Sequence, residues 1–228
     1  MKRYLIAAPA ILLLSCGARV EKFAMPDQVT DFAVLYKANC SGCHGENGSA
    51  GAARPLNDPV FLAVIGKQTL RDVIANGVPK TAMPAFAKNG GGDLTDQQIG
   101  ILADQIEARW SRPQEFAAVA LPPYREDLGD PNAGGAAFHT YCTRCHGEDG
   151  TGGAKPSSVV DPAFLALVSD QSLRTTVIAG RSDRGAPDYR HVSPGHSMTP
   201  QEISDIVAWL AAHRPAPLML TQKGTKLP

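Results

Sequence analysis

The chain has 228 residues, and its 22 lysines and arginines balance its 22 aspartates and glutamates. This balance leaves none of the basic excess on which nucleic-acid binding depends, so we expect no nucleic-acid partner. Aromatic residues make up only 6% of the chain, which also contains 22 glycines and 18 prolines. The chain therefore has few large side chains from which to build a hydrophobic core.

The N-terminal segment has the features of an export signal. Two basic residues precede an apolar run over residues 4–14, which is shorter than the ~20 residues that cross a bilayer. We therefore predict a cleaved signal peptide over residues 1–15. The Leu-Leu-Ser-Cys-Gly sequence around Cys16 resembles the lipobox of bacterial lipoproteins. This resemblance implies acylation of Cys16, a tether over residues 16–29, and anchoring at the periplasmic or other extracytoplasmic face of a bacterial membrane. The alternative is an ordinary signal peptide with an incidental cysteine.

The first predicted helix, over residues 30–40, leads into the most specific pattern in the chain. Cys40, Cys43 and His44 form a Cys-x-x-Cys-His motif, which is the attachment signature of c-type haem. In such a motif the two thiols bond to the porphyrin vinyl groups, and the histidine becomes a ligand of the iron.

The same motif recurs in the second half of the chain as Cys142, Cys145 and His146. Two copies predict two covalently bound haem c groups. A pair of disulfide or thioredoxin-like redox sites is one alternative, but it does not account for the histidines. A single zinc site is the other, and it would need cysteine pairs about 15–20 residues apart, much closer than positions 43 and 142.

The rest of each half repeats as well, which divides the chain into two equivalent domains. Residues 58–63 match 161–166, residues 68–71 match 171–174, and residues 95–99 match 199–203. We predict helices at 58–65 and 161–168, at 68–76 and 171–179, and from threonine N-caps at Thr95 and Thr199. No segment alternates as a β-strand would, so the predicted fold is all-α.

A proline-rich segment over residues 112–131 separates the two repeats, and we predict that it is an extended linker. The first domain then covers residues 30–111 and the second covers residues 132–214. A proline-containing tail with little periodicity follows over residues 215–228.

Each half resembles a class I cytochrome c domain, because it combines the haem motif with this helix order. The resemblance implies two tandem domains whose helices wrap around haem, with the first and last helices crossing. It implies that Met83, in a Met-Pro pair before the last helix, is the sixth ligand of the first iron, opposite His44. It also implies that the carbonyl groups of Pro55 and Pro156 accept hydrogen bonds from the two proximal histidines.

The second domain departs from this pattern at the sixth ligand. Ala186 aligns with Met83, so the expected sulfur is missing. Met198 is the leading candidate because no other methionine lies between the second motif and the last helix, but it aligns with Leu94 and would also suit a packing role beside the helix start. The alternatives are His191, His196 and an open or water-bound iron.

Four basic residues are candidates for contacts with the haem propionates. Ordinary solvated surface positions are the competing interpretation. These residues are Arg54, Arg71, Lys155 and Arg174.

The predicted function is electron transfer rather than catalysis. The overall pattern resembles exported dihaem cytochrome c subunits of bacterial respiratory or photosynthetic chains. This implies a quinol-oxidising complex as donor and a terminal oxidase or photosynthetic reaction centre as acceptor, with the chain as a free carrier or a fixed subunit. The alternatives are an electron-accepting subunit of a periplasmic dehydrogenase, a peroxidase-like or sulfur-oxidising haem enzyme at the second haem, and a haem-based sensor.

Overall fold

The computed structural model describes residues 25–79, 81–153 and 157–215. The predicted signal peptide, Cys16 and the tail from residue 216 lie outside the described residues. Within the described ranges the regular structure is helical, and β-type pairing is limited to three isolated bridges. The all-α prediction is confirmed. No helix in these ranges is long and apolar enough to cross a membrane.

Five helices form the first repeat, and five equivalent helices form the second. The first set is α1 (Phe32–Asn39), α2 (Ser41–His44), α3 (Pro59–Ile65), α4 (Lys67–Asn76) and α5 (Asp96–Trp110). A short helix, α6 (Pro113–Phe116), follows. The second set is α7 (Pro131–Tyr141), α8 (Thr143–His146), α9 (Pro162–Leu167), α10 (Asp170–Ala179) and α11 (Pro200–Ala212).

The last helix of each domain begins at the predicted threonine N-cap, and each threonine forms a capping box with the residue three positions later. The Thr95 hydroxyl accepts from the Gln98 N–H at 3.2 Å, and the Gln98 side chain accepts from the Thr95 N–H at 3.0 Å. Thr199 and Glu202 repeat this exchange at 3.2 and 2.8 Å. Each box satisfies backbone donors that the first helical turn would otherwise leave unpaired.

The first and last helices of the second domain cross at small residues. A β-carbon at Gly134 of α7 would lie 1.9 Å from the Asp205 carbonyl oxygen of α11, so only glycine allows this approach. Beside the crossing, Phe138 stacks on Trp209 with ring centroids 4.2 Å apart. In the first domain, Phe32 and Tyr36 of α1 instead contact the edge of Trp110 from α5.

The segment between the repeats is held against the second domain. Arg174 is only 2% exposed, and its Nε and Nη2 atoms donate to the Pro123 carbonyl oxygen at 3.1 and 3.0 Å. Its Nη1 atom donates to the Ser204 hydroxyl at 2.8 Å. Phe116 is buried, and the Arg190 guanidinium lies 4.9 Å from its ring centroid. Arg174 is therefore neither a surface cation nor one free to reach a propionate, and it fixes the linker segment.

Candidate haem sites

The first haem motif is presented by the junction of α1 and α2. Cys40 ends α1, and the His44 N–H donates to the Cys40 carbonyl oxygen at 3.0 Å, so one helical turn brings both cysteines and the histidine together. Burial, and then the neighbouring Cys43, raise the pKa of the Cys40 thiol to about 12. Such surroundings disfavour a thiolate and suit the neutral thioether of haem attachment.

His44 is held in the tautomer that a metal ligand needs. Its Nδ1 atom lies 2.7 Å from the Arg54 carbonyl oxygen, and because a carbonyl can only accept, Nδ1 carries the proton. Burial lowers the pKa of His44, which keeps the ring neutral and leaves Nε2 as the ligand atom. The acceptor is thus the carbonyl of Arg54 and not, as the family resemblance implied, that of Pro55.

The second motif repeats this geometry on α8. Burial, and then Cys145, raise the pKa of Cys142 to about 12, as in the first domain. The Nδ1 atom of His146 is buried and has no hydrogen-bond partner among the described residues. The residue equivalent to Arg54 is Lys155, which lies outside the described residues, as does Pro156. The four motif cysteines lie in two different helix pairs, with Cys40 and Cys43 at α1 and α2 and Cys142 and Cys145 at α7 and α8.

Met83 lies in a loop whose backbone is closely constrained. The Val78 N–H donates to the Met83 carbonyl oxygen at 3.1 Å, and the Met83 N–H donates to the Thr81 hydroxyl at 3.2 Å. Gly77 has a φ of +69°, and a β-carbon there would lie 2.7 Å from the Met83 carbonyl oxygen. The loop therefore packs directly on the end of α4, with the Met83 side chain half-buried. The ligand role of Met83 remains a prediction.

The corresponding loop of the second domain has the same backbone contacts but no sulfur. A β-carbon at Gly180, whose φ is +67°, would lie 2.6 Å from the Ala186 carbonyl oxygen and 2.3 Å from that of Pro187. The Tyr189 N–H donates to the Ile178 carbonyl oxygen at 2.8 Å. Phe86 makes the same bond to Ile74 at 3.2 Å in the first domain. The structure thus places Ala186 where the first domain has Met83.

Met198 has the contacts of a packing residue. Its N–H donates to the Tyr189 carbonyl oxygen at 3.0 Å, as the Leu94 N–H does to that of Phe86 at 2.9 Å. Met198 is 4% exposed and Leu94 is 5% exposed, and both belong to the apolar core. This equivalence to Leu94 favours a packing role for Met198. Ligation by Met198 remains a prediction.

The two alternative ligands of the second iron lie at the surface. The Nδ1 atom of His191 is 3.0 Å from an Asp188 carboxylate oxygen, and its side chain is 66% exposed. His196 stacks on Tyr141 with ring centroids 6.0 Å apart. Each histidine is thus engaged with a neighbour, and its role as ligand also stays a prediction.

Comparison with known families identifies both domains. Residues 27–105 match the family described as cytochrome c oxidase, cbb3-type, subunit III, and residues 132–214 match the cytochrome c family. The chain is a dihaem c-type cytochrome. Its two motifs carry two covalently bound haem c groups. The predictions of two haem c groups and of tandem cytochrome c domains are confirmed.

Relatives of this cytochrome occur among oxidase subunits. It is 26% identical over 178 residues to the cbb3-type cytochrome c oxidase subunit FixPc of Rhizobium leguminosarum bv. viciae, covering 77% of this chain and 58% of that protein. It is 27% identical over 149 residues to the FixP subunit of Rhizobium etli, covering 65% of this chain and 48% of that protein. The cytochrome therefore spans about half the length of these curated relatives.

A solved structure is also similar to this chain. The Kuenenia stuttgartiensis reducing HAO-like protein complex aligns over 84% of the cytochrome and 100% of the compared chain, at 17% identity and a TM-score of 0.47.

Proposed function

We propose that this cytochrome passes electrons from a quinol-oxidising complex to a terminal oxidase, as a subunit or close companion of that oxidase. The observation that carries the proposal is the match of the first domain to the family of cbb3-type oxidase subunit III. The two relatives, both named as subunits of such oxidases, support it. The hydrogen bonds from Arg54 of the first domain to Thr176 and Gly180 of the second support a relay that uses both haem sites.

The residues around the first motif hold the predicted iron ligands in place. When bound, haem c supplies an iron that takes up and releases one electron. The Arg54 carbonyl oxygen holds the His44 ring in one orientation and makes Nε2 a better donor. The Gly77 contact holds the Met83 loop on α4. Rigid supports of this kind limit the rearrangement that accompanies each change of charge.

We also propose that Cys16 anchors the cytochrome to the membrane through acyl chains. Cys16 lies outside the described residues, and the proposal rests on its lipobox sequence. Cytochrome c domains are extracytoplasmic, so the anchor would hold the haem domains at the face of the membrane where quinol oxidation releases electrons. The mature N-terminus would then be an acylated Cys16.

The test is oxidation of the fully reduced, full-length cytochrome by membranes of its own organism. We expect rapid loss of the reduced-haem absorption band with oxygen present, inhibition by cyanide, and no loss with membranes from a strain that lacks its terminal oxidases. Equal oxidation by oxidase-free membranes would contradict the proposal. Oxidation that needs light and reaction-centre membranes would instead assign the acceptor to a photosynthetic reaction centre.

A second candidate function follows from the second distal loop. Ala186 occupies the position of Met83 and offers no ligand atom, so a small molecule would have access to the sixth position of the second iron if no other residue fills it. A peroxidase-like activity at that site is the competing proposal. Binding of cyanide by the oxidised, unmutated protein favours it, and the absence of such binding removes it.

A further inference from the structure

Arg54 contacts both domains of the cytochrome. Its carbonyl oxygen accepts the hydrogen bond from Nδ1 of His44 at 2.7 Å. Its side chain crosses to α10, where Nη2 donates to the Thr176 hydroxyl at 2.7 Å and Nη1 donates to the Gly180 carbonyl oxygen at 3.4 Å. One residue therefore connects the proximal ligand of the first haem to the second domain.

The far end of this connection is the distal loop of the second haem site. Gly180 is the residue whose absent β-carbon allows the carbonyl groups of Ala186 and Pro187 to pack against it. The guanidinium of Arg54 thus binds the backbone at the point where the second distal loop rests. A displacement of Arg54 would therefore affect both the proximal histidine of the first haem site and the distal loop of the second haem site.

The surroundings of Arg54 hold its side chain in place. Burial lowers the pKa of Arg54 to about 10, with nearby Asp58 acting in the opposite direction, so the side chain is positive at neutral pH. Its guanidinium carbon lies 5.5 Å from the centroid of the Phe61 ring, which is 6% exposed. Asp58 is also buried and lies 3.5 Å from the Ser182 hydroxyl of the second domain. A planar guanidinium suits this stacked, two-acceptor position better than an ammonium.

We propose that Arg54 is a positioning residue that couples the two haem sites, so that electron exchange between them within one chain depends on its side chain. The proposal deepens the proposed function, since a relay requires such exchange, but it does not depend on which partner accepts the electrons. The charge of Arg54 and its hydrogen bonds to α10 have separable effects. The charge favours the ferrous state of the nearby first haem, and the hydrogen bonds fix the separation of the domains.

The test compares four variants of the full-length protein with both haems attached. Interhaem exchange is measured after photochemical injection of one electron, and reduction potentials are measured by redox titration. Small-angle scattering reports the spread of domain separations independently of electron transfer. In Arg54→Ala we expect slower exchange, a lower potential of the first haem and a broader spread of separations. Arg54→Lys keeps the charge but loses the planar guanidinium that donates to two acceptors. The potential of the first haem should therefore stay near its original value, while exchange should still slow.

The other two variants isolate the contact with the second domain. Thr176→Val removes the closer of the two acceptors of Arg54 without changing the first domain, so we expect slower exchange and an unchanged potential of the first haem. Lys67→Ala is the matched control, because Lys67 is a cation of the same domain and its Nζ atom pairs with Asp104 of that domain at 2.7 Å. It should leave the exchange rate and the scattering unchanged.

Unchanged exchange and scattering in both Arg54→Ala and Thr176→Val would overturn the proposal. If Arg54→Ala fails to attach haem, the result from Thr176→Val decides. Because every measurement is made on the isolated chain, failure of the cytochrome to reduce a terminal oxidase would leave this inference intact.

Discussion

Two pairs of equivalent positions distinguish the two haem sites: 83 and 186 in the distal loops, and 94 and 198 before the last helices. In the first domain, Met83 is the predicted ligand of the iron and Leu94 is a buried core residue. In the second domain, alanine occupies the loop position and methionine occupies the packing position. The sequence alignment pairs Ala186 with Met83 and Met198 with Leu94, and the backbone hydrogen bonds of Leu94 and Met198 match in the structure.

The first prediction tests which of these methionines binds iron. Met83→Ala should abolish the weak absorption band that marks sulfur bound to ferric haem, because the ligand is removed. Met198→Leu should leave both haem spectra and potentials unchanged, because leucine already fills the equivalent core position in the first domain. Visible spectra and redox titrations of the two variants measure this directly. Loss of a sulfur signal from the second haem in Met198→Leu would show that Met198 is its ligand.

Two contacts of individual residues could not be predicted from the sequence. Arg54 and Pro55 are neighbours, and only the path of the loop decides whose carbonyl faces His44. The buried position of Arg174 follows from the linker segment that folds over it, a contact between residues far apart in the chain. Neither the carbonyl orientation nor this long-range contact has a signal in local composition or periodicity.

The elements themselves were largely predictable, because their signals are local. Helical periodicity and the threonine caps predict α5 and α11, whose observed starts follow Thr95 and Thr199 directly. Helix α6 was not predicted, since its four residues lie in a proline-rich stretch that favours extended structure. Its position depends on Phe116, which becomes buried against the second domain.

The crossing of α7 and α11 gives the second prediction. Gly134→Ala should lower the free energy of unfolding by about 2–3 kcal/mol, because the added carbon would overlap the Asp205 carbonyl group and force the helices apart. Gly135→Ala is the matched control. Its β-carbon would lie 3.3 Å from the edge of Trp209, and alanine gains helix propensity of about 0.5–1 kcal/mol, so a small net effect is expected. Denaturant unfolding followed by circular dichroism measures both, and equal stability of the two variants would contradict this account.

At the scale of the whole molecule, the segment that the sequence assigns to an extended linker makes specific contacts with the second domain. The limits 30–111, 112–131 and 132–214 remain predictions, while the structure shows the middle segment bonded to the second domain through Arg174 and Gln171. Composition identifies a linker, but it does not show which domain the linker packs against.

This attachment gives the third prediction. A second-domain fragment that begins at residue 112 should be more stable than one that begins at residue 132, by about 3 kcal/mol. The longer fragment keeps the Pro123 carbonyl group as the partner of Arg174, and the shorter one leaves that buried cation without it. Thermal unfolding of the two haem-loaded fragments measures the difference. A fragment from residue 132 with undiminished stability would show that the segment contributes nothing to the fold.

The attachment of residues 113–131 to the second domain also shortens the passage between the domains. Trp110 packs with Phe32 in the first domain and Phe116 packs in the second, so the backbone crosses over only a few residues around Ser111. A crossing this short keeps the two sides of the Arg54 contact at a high effective concentration. The contacts between the domains can therefore maintain the arrangement of two haem domains within one chain.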